Sequence, residues 1–278
     1  MSLVTVGGIE LNVEEEGRCE AVFLVHGMGL DLRMWEPQVA PLIDGGYRVI
    51  RYDARGHGLS DVPKNGYTLE HTQAEALGLL DALGVATAHV VGLSMGGSIA
   101  AHLAVRHPDR CLSTTVMSSM ASGYPRLSDF IRLGGTAEIL DAGASALIEY
   151  REQRLHSMLF NHTIDDPVVG PGLRAILLEA LKTTAILREV AAERKLGWQS
   201  PTDWELWADP DRRVPGLIVA GLLDDSTFLE FARDSGSMPD TEALLVPDAQ
   251  HMVNMSHADI VNRELLHHLA TAQSRRNG

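Results

Sequence analysis

The chain has 278 residues, 45% of them hydrophobic and 22% charged, the profile of a globular protein able to bury a sizeable core. Its formal net charge of −14 excludes a general nucleic-acid surface, which needs clustered Lys and Arg to meet phosphates. No run approaches the roughly 18 consecutive apolar residues of a membrane span.

The amino terminus, MSLVTVGGIELNVEEEG, has neither the basic start nor the apolar centre of a signal peptide, and a cytoplasmic location is expected. The two cysteines, Cys19 and Cys111, show no metal or redox spacing and read as thiols in a reducing compartment. LVTV and IELNVEEE flank Gly7-Gly8, a pair suited to the positive φ angles of a tight hairpin turn. AVFLV (21–25) reads as the next strand, followed by a helical segment from Met34 to Ile43 and the strand YRVIRY (47–52). A helix is expected from about Leu69 to Leu83, then the strand HVVGL (89–93), a helix through His107, and the strand CLSTTVMSS (111–119). Between Met120 and Arg213 the alternation is lost. SALIEYREQRLHSMLF and AILLEALKTTAILREVAAERKL read as helices around PVVGPG, and three of the four tryptophans, Trp198, Trp204 and Trp207, fall here. The alternation resumes with GLIVAG (216–221), a helix through Phe228 and Phe231, ALLVP (243–247), and a last helix from about Ala258 to Leu269. The tail QSRRNG is expected to fray.

Apolar strands alternating with helices predict an α/β fold: a mostly parallel central sheet of about eight strands, with the N-terminal hairpin, flanked by helices. Residues 1–119 and 214–278 are assigned to this core domain. Residues 120–213 are assigned to a helical cap, or lid, inserted after the sixth strand, over the carboxyl edge where such sheets place ligands.

The stretch Gly92-Leu93-Ser94-Met95-Gly96 puts a serine where strand gives way to helix. A serine at such a corner is lifted clear of the sheet, and the flanking glycines let strand and helix close around it. The hydroxyl needs a base, and the base needs an orienting group. Of 12 histidines, His251 stands in a loop just beyond the strand ALLVP, whereas His257 starts or caps the last helix. For the acid, Asp224 and Asp225 both follow GLIVAG, giving the chain order Ser, Asp, His expected of successive strands. After AVFLV, the turn His26-Gly27-Met28-Gly29 can aim the backbone N–H of Met28 at the serine corner. With the N–H of Met95 it would form an oxyanion hole, His26 itself holding the loop. In DARGHG the glycines permit a structural turn, with Arg55 paired locally to Asp53 or Asp61. Trp35 either packs in the core or walls a substrate pocket. Met158, Leu159, Phe160, Trp204 and Trp207 offer an apolar pocket lining within the cap.

HGMG, RYDARGHGLSD (51–61), GLSMGG (92–97), GLLDD (221–225) and AQHM (249–252) together resemble the α/β-hydrolase superfamily, through nearly the whole chain outside the insertion. RYDARGHGLSD with GLSMGG is most similar to the 3-oxoadipate enol-lactonase and small-carboxylesterase branch. The chain departs from the family at Gln250, where a glycine often precedes the histidine, and from the enol-lactonases at HGMG. The resemblance implies Asp224 rather than Asp225 as the acid. It implies a Ser94, His251, Asp224 hydrolase that cleaves a small-molecule carboxylic ester or lactone through an acyl-enzyme, needing no metal or organic cofactor. The same fold also serves carbon–carbon bond hydrolysis of diketones, cofactor-free perhydrolysis, and ligand sensing with little turnover.

Overall fold

The computed structural model describes residues 1–125, 171, 202–211 and 214–277. Gly7 and Gly8, at φ +57° and +85°, turn the chain between β1 (Ser2–Val6) and β2 (Ile9–Gly17), which pair antiparallel from Val6↔Ile9 to Ser2↔Val13. The strands that follow are β3 (Ala21–Val25), β4 (Arg48–Tyr52), β5 (Ala88–Leu93), β6 (Cys111–Met117), β7 (Gly216–Gly221) and β8 (Thr241–Val246). They form one eight-stranded sheet in the order β1-β2-β4-β3-β5-β6-β7-β8. β2 meets β4 antiparallel, and every pair from β4 to β8 is parallel.

Successive residues of a strand face opposite sides, so each central strand supplies two cores. Phe23, Ile50, Val90, Val116 and Ile218 face one layer, which holds α2 (Leu69–Ala82), α3 (Met95–Arg106), α4 (Asp203–Trp207) and α5 (Ser226–Gly236). Val22, Leu24, Val49, Val91 and Val219 face the other, which holds α1 (Glu36–Asp44) and the last helix. A one-turn 3₁₀ helix, Leu32–Trp35, precedes α1, and the short α6 (Val253–Ser256) precedes α7 (Ala258–Asn277). α7 runs well past Leu269, through the segment expected to fray. Arg275 pairs with Asp240 at 2.9 Å and Arg276 with Glu20 at 2.5 Å, giving those polar turns tertiary anchors. No helix among the described residues is long and apolar enough to cross a membrane.

The chain passes from β3 outward to β4 and then returns across β3 to β5. The order of strands therefore reverses between β3 and β5, opening a crevice at their carboxyl ends. His26–Gly29 leaves β3 at this crevice, and Ser94 leaves β5.

The central part of the insertion assigned as a cap, with Met158, Leu159, Phe160 and Trp198, lies outside the described residues. Its two stems meet the core at their ends. Trp204 N–H bonds to the Ser122 carbonyl at 2.9 Å, and Asp203 is held by Arg106 at 2.8 Å and His102 at 2.9 Å. Burial alone would raise the Asp203 pKa, but hydrogen bonds and charge from His102 and Arg106 prevail and lower it.

Candidate active site

Ser94 is the N-cap of α3, with φ +56° and ψ −116°. A non-glycine residue rarely adopts this region, and it persists only where the surroundings over-determine it. Here they do. A β-carbon at Gly96 would lie 2.0 Å from the Val25 carbonyl oxygen, and one at Gly92 would lie 2.0 Å from the Gly96 carbonyl oxygen. Only glycines let the start of α3 press against the ends of β3 and β5. The Ser94 N–H bonds to the Met117 carbonyl at 2.9 Å, and Ser119 Oγ donates to the Ser94 carbonyl at 2.5 Å. The Ser94 side chain is left half-buried at the crevice.

Two further backbone bonds extend the parallel ladder past its strand ends. Ser118 N–H donates to Val219 O at 2.8 Å, and Leu222 N–H donates to Val246 O at 2.9 Å. The loops after β5, β6, β7 and β8 are thereby held at one level of the sheet edge. Leu223 N–H then reaches Ala249 O at 2.9 Å, tying the acidic loop to the histidine loop.

Within that pair of loops, His251 Nδ1 lies 3.2 Å from Asp224 Oδ1 and 3.3 Å from Oδ2. Both side chains are buried, 2% and 0% exposed. A carboxylate only accepts hydrogen bonds, so Nδ1 carries the proton of this contact. The Phe228 ring packs against the imidazole with centroids 5.2 Å apart. Asp225 does something different: its Oδ1 accepts from Thr227 N–H at 2.8 Å, capping α5. The sequence left both aspartates available; in the structure they have separate tasks. His257 follows α6 and bonds through its carbonyl to Val261 N–H in the first turn of α7.

The loop after β3 approaches the serine corner from the other side. Gly27 lies against Leu93, and Leu30 N–H closes the turn on Gly27 O at 3.1 Å. Neither the Met28 N–H nor the Met95 N–H is paired with another described residue. His26 Nδ1 donates to Gly27 O at 2.8 Å, and its Nε2 accepts from Ala54 N–H at 2.9 Å. Burial lowers the His26 pKa, against the opposing pull of Asp53, so the imidazole stays neutral and keeps that lone pair.

Arg55 does not pair with Asp53 or Asp61, as the sequence suggested. Its Nε donates to Glu75 Oε2 at 2.7 Å on α2, and a guanidinium N–H reaches Gly66 O. Burial raises the Glu75 pKa and Arg55 partly offsets it. Asp53 is occupied elsewhere, accepting from Leu32 N–H, Leu59 N–H and Asn12 Nδ2, each at 2.8 Å. Asp61 accepts the Glu10 N–H at 2.8 Å.

The tryptophans proposed as pocket walls are placed as follows. Trp35 is fully buried among Leu24, Met34 and Leu42 of the second core. Trp207 is fully buried against Phe231 and touches Gly216, the first residue of β7, at the edge of the sheet opposite Ser94. The structure thus takes it away from the serine, because α4 packs along α3 rather than over the crevice. Trp204 is half-buried, edge-on to Tyr124 with centroids 4.8 Å apart. Sequence reasoning missed Ser119 and the three-fold role of Asp53. Ser119 reaches Ser94, and Asp53 reaches Asn12 and Leu32, across 21 or more residues of chain, contacts that leave no local pattern.

Residues 20–137 match the α/β-hydrolase fold family. The chain is 31% identical to the dihydrolipoyllysine-residue acetyltransferase component of the acetoin cleaving system from Cupriavidus necator, over 95% of this chain and 67% of that protein. It is 28% identical to 3-oxoadipate enol-lactonase 1 from Acinetobacter baylyi, over 91% of this chain and 90% of the relative. Among solved structures, a thermophilic esterase from Thermogutta terrifontis is similar, with a TM-score of 0.77, 26% identity, and coverage of 98% of each chain.

Proposed function

The chain belongs to the α/β-hydrolase family, and from that premise we propose that it is a serine hydrolase of a small carboxylic ester or lactone. Ser94 attacks the carbonyl carbon, and His251 Nε2 takes the hydroxyl proton. Asp224 holds the imidazole with its proton on Nδ1 and stabilises the imidazolium that forms. The N–H groups of Met28 and Met95 receive the negative charge on the carbonyl oxygen. Collapse of the tetrahedral species expels the alcohol, which takes the proton back from His251. Water then repeats the sequence on the acyl-enzyme. In a lactone the alcohol stays attached to the acyl group, so ring opening yields a hydroxy acid. Because catalysis rests on side chains and backbone dipoles alone, this route calls for no cofactor.

The observation that carries the reading is the strained Ser94 corner at the sheet edge that also bears the His251–Asp224 contact. Similarity to an enol-lactonase and an esterase supports the substrate class. The free thiols of Cys19, which is exposed, and Cys111, which is buried, support a cytoplasmic setting. Steady-state turnover of short p-nitrophenyl esters, lactones and diketones tests the assignment. Ester or lactone hydrolysis that disappears in Ser94→Ala is the expected result. Turnover confined to diketones would redirect the same apparatus to carbon–carbon bonds, and no turnover of any of them would leave a binding protein.

A further inference from the structure

The histidine of DARGHG has no part in the scheme above, yet it touches the loop on which that scheme depends. His57 is 1% exposed. Its Nδ1 lies 3.0 Å from the Arg55 carbonyl oxygen, which can only accept, so the ring proton sits on Nδ1. Its Nε2 accepts from Gly29 N–H at 3.1 Å. Gly29, at φ +75°, is the residue immediately after Met28. The peptide that sets the direction of the Met28–Gly29 turn is thus tied to a ring on a different loop. The His26 ring meets the His57 ring edge to face with centroids 4.9 Å apart, and bonds in the reverse sense to Ala54 N–H. The turn after β3 and the turn after β4 are joined by two imidazoles, each accepting from the opposite segment.

We propose that His57 is a positioning residue of the reaction: its Nε2 lone pair holds the Gly29 amide, and through it aims the Met28 N–H at the oxyanion. The inference rests on the serine-hydrolase reading above. His57 touches neither substrate nor reacting atoms. It acts because an oxyanion donor is effective only when fixed before charge develops. Asp53 supports the same loop three residues beyond Gly29 through Leu32 N–H, but it leaves the Met28–Gly29 turn to His57.

Two polar variants that differ in reach test this. The carbonyl oxygen of Gln can replace Nε2 as acceptor for Gly29, whereas that of Asn stops near the position of Nδ1. Removing one oxyanion donor outright costs about 10²–10³ in kcat, so a displaced donor in His57→Asn is expected to cost about 10–100-fold, with KM within about twofold. Affinity for an alkyl boronic acid, whose tetrahedral adduct places an oxygen in the hole, should fall by a similar factor. His57→Gln should recover most of both losses. Equal kcat values in the Asn and Gln variants, or unchanged boronic acid affinity in His57→Asn, would overturn the inference. So would failure of both variants to fold, which would assign His57 to the fold alone. Labelling of the wild-type protein by a fluorophosphonate separates the two levels. A labelled wild type with equivalent variants defeats only the role of His57, whereas an unlabelled wild type defeats the hydrolase reading beneath it.

Discussion

Asp224 and Asp225 are adjacent, both acidic, and separated in consequence by what their oxygens hold. Asp224→Asn replaces the acceptor 3.2 Å from His251 Nδ1 with a group that can present N–H there. The buried imidazole then favours the tautomer with its proton on Nε2, the atom that must accept from Ser94. In a Ser-His-Asp enzyme this change lowers kcat by about 10⁴-fold, equivalent to about 5.5 kcal/mol of transition-state stabilisation. Asp225→Asn keeps an oxygen for Thr227 N–H at the start of α5, so stability should change by a few tenths of a kcal/mol and turnover hardly at all. Asp225→Ala removes the cap and should cost about 1 kcal/mol of stability, again with little effect on kcat. Ester turnover and urea unfolding of the three variants decide the matter. A crippled Asp225→Asn beside a near-normal Asp224→Asn would refute the assignment of roles.

Gly96→Ala should abolish turnover and destabilise the fold by more than about 1–3 kcal/mol, because its β-carbon meets a backbone oxygen that cannot swing aside; circular dichroism melts and ester assays check this. Trp207→Ala should destabilise by about 3–5 kcal/mol in chemical denaturation while leaving the ranking of small and bulky esters unchanged in the folded fraction, since the ring lies in the core at the far edge of the sheet. Acid should weaken the fold below neutrality. Burial lowers the pKa of His89 to about 4, and burial with the neighbouring His89 lowers that of His268 to about 4. The unfolded chain takes up these protons near 6.5, so stability is fully present above that pH and is lost as pH falls toward 4. The loss is about 3 kcal/mol for one such site, and less than double for two neighbours that share it. Urea midpoints at pH 7 and pH 4.5 measure the loss, and His268→Gln should reduce the slope.

The strands and the serine corner were legible because their signals are local. Short continuous apolar runs, glycine pairs and the strand–serine–helix spacing all fall within a few residues, and β7 spans the same residues, Gly216–Gly221, that its sequence suggested. The partner of Arg55 was not legible. Nearby Asp53 and Asp61 competed on proximity in the chain, while Glu75, 20 residues on, is brought in only when α2 packs. The end of α7 was misread for a related reason. QSRRN is polar and looks prone to fray, but Asp240 and Glu20 come from distant parts of the chain to hold it. Trp207 shows the limit of composition. An aromatic residue in an irregular segment suggested a pocket wall, and the capping box of Thr202 and Glu205 instead starts a short helix that carries the ring into the core.

The central claim is that Ser94 is the nucleophile, and covalent labelling tests it most directly. Intact-mass measurement after treatment with a fluorophosphonate should show one adduct on the wild-type protein, mapped by peptide analysis to Ser94, and none on a folded Ser94→Ala. An adduct that persists on Ser94→Ala, or a wild-type protein that takes none, would contradict the account.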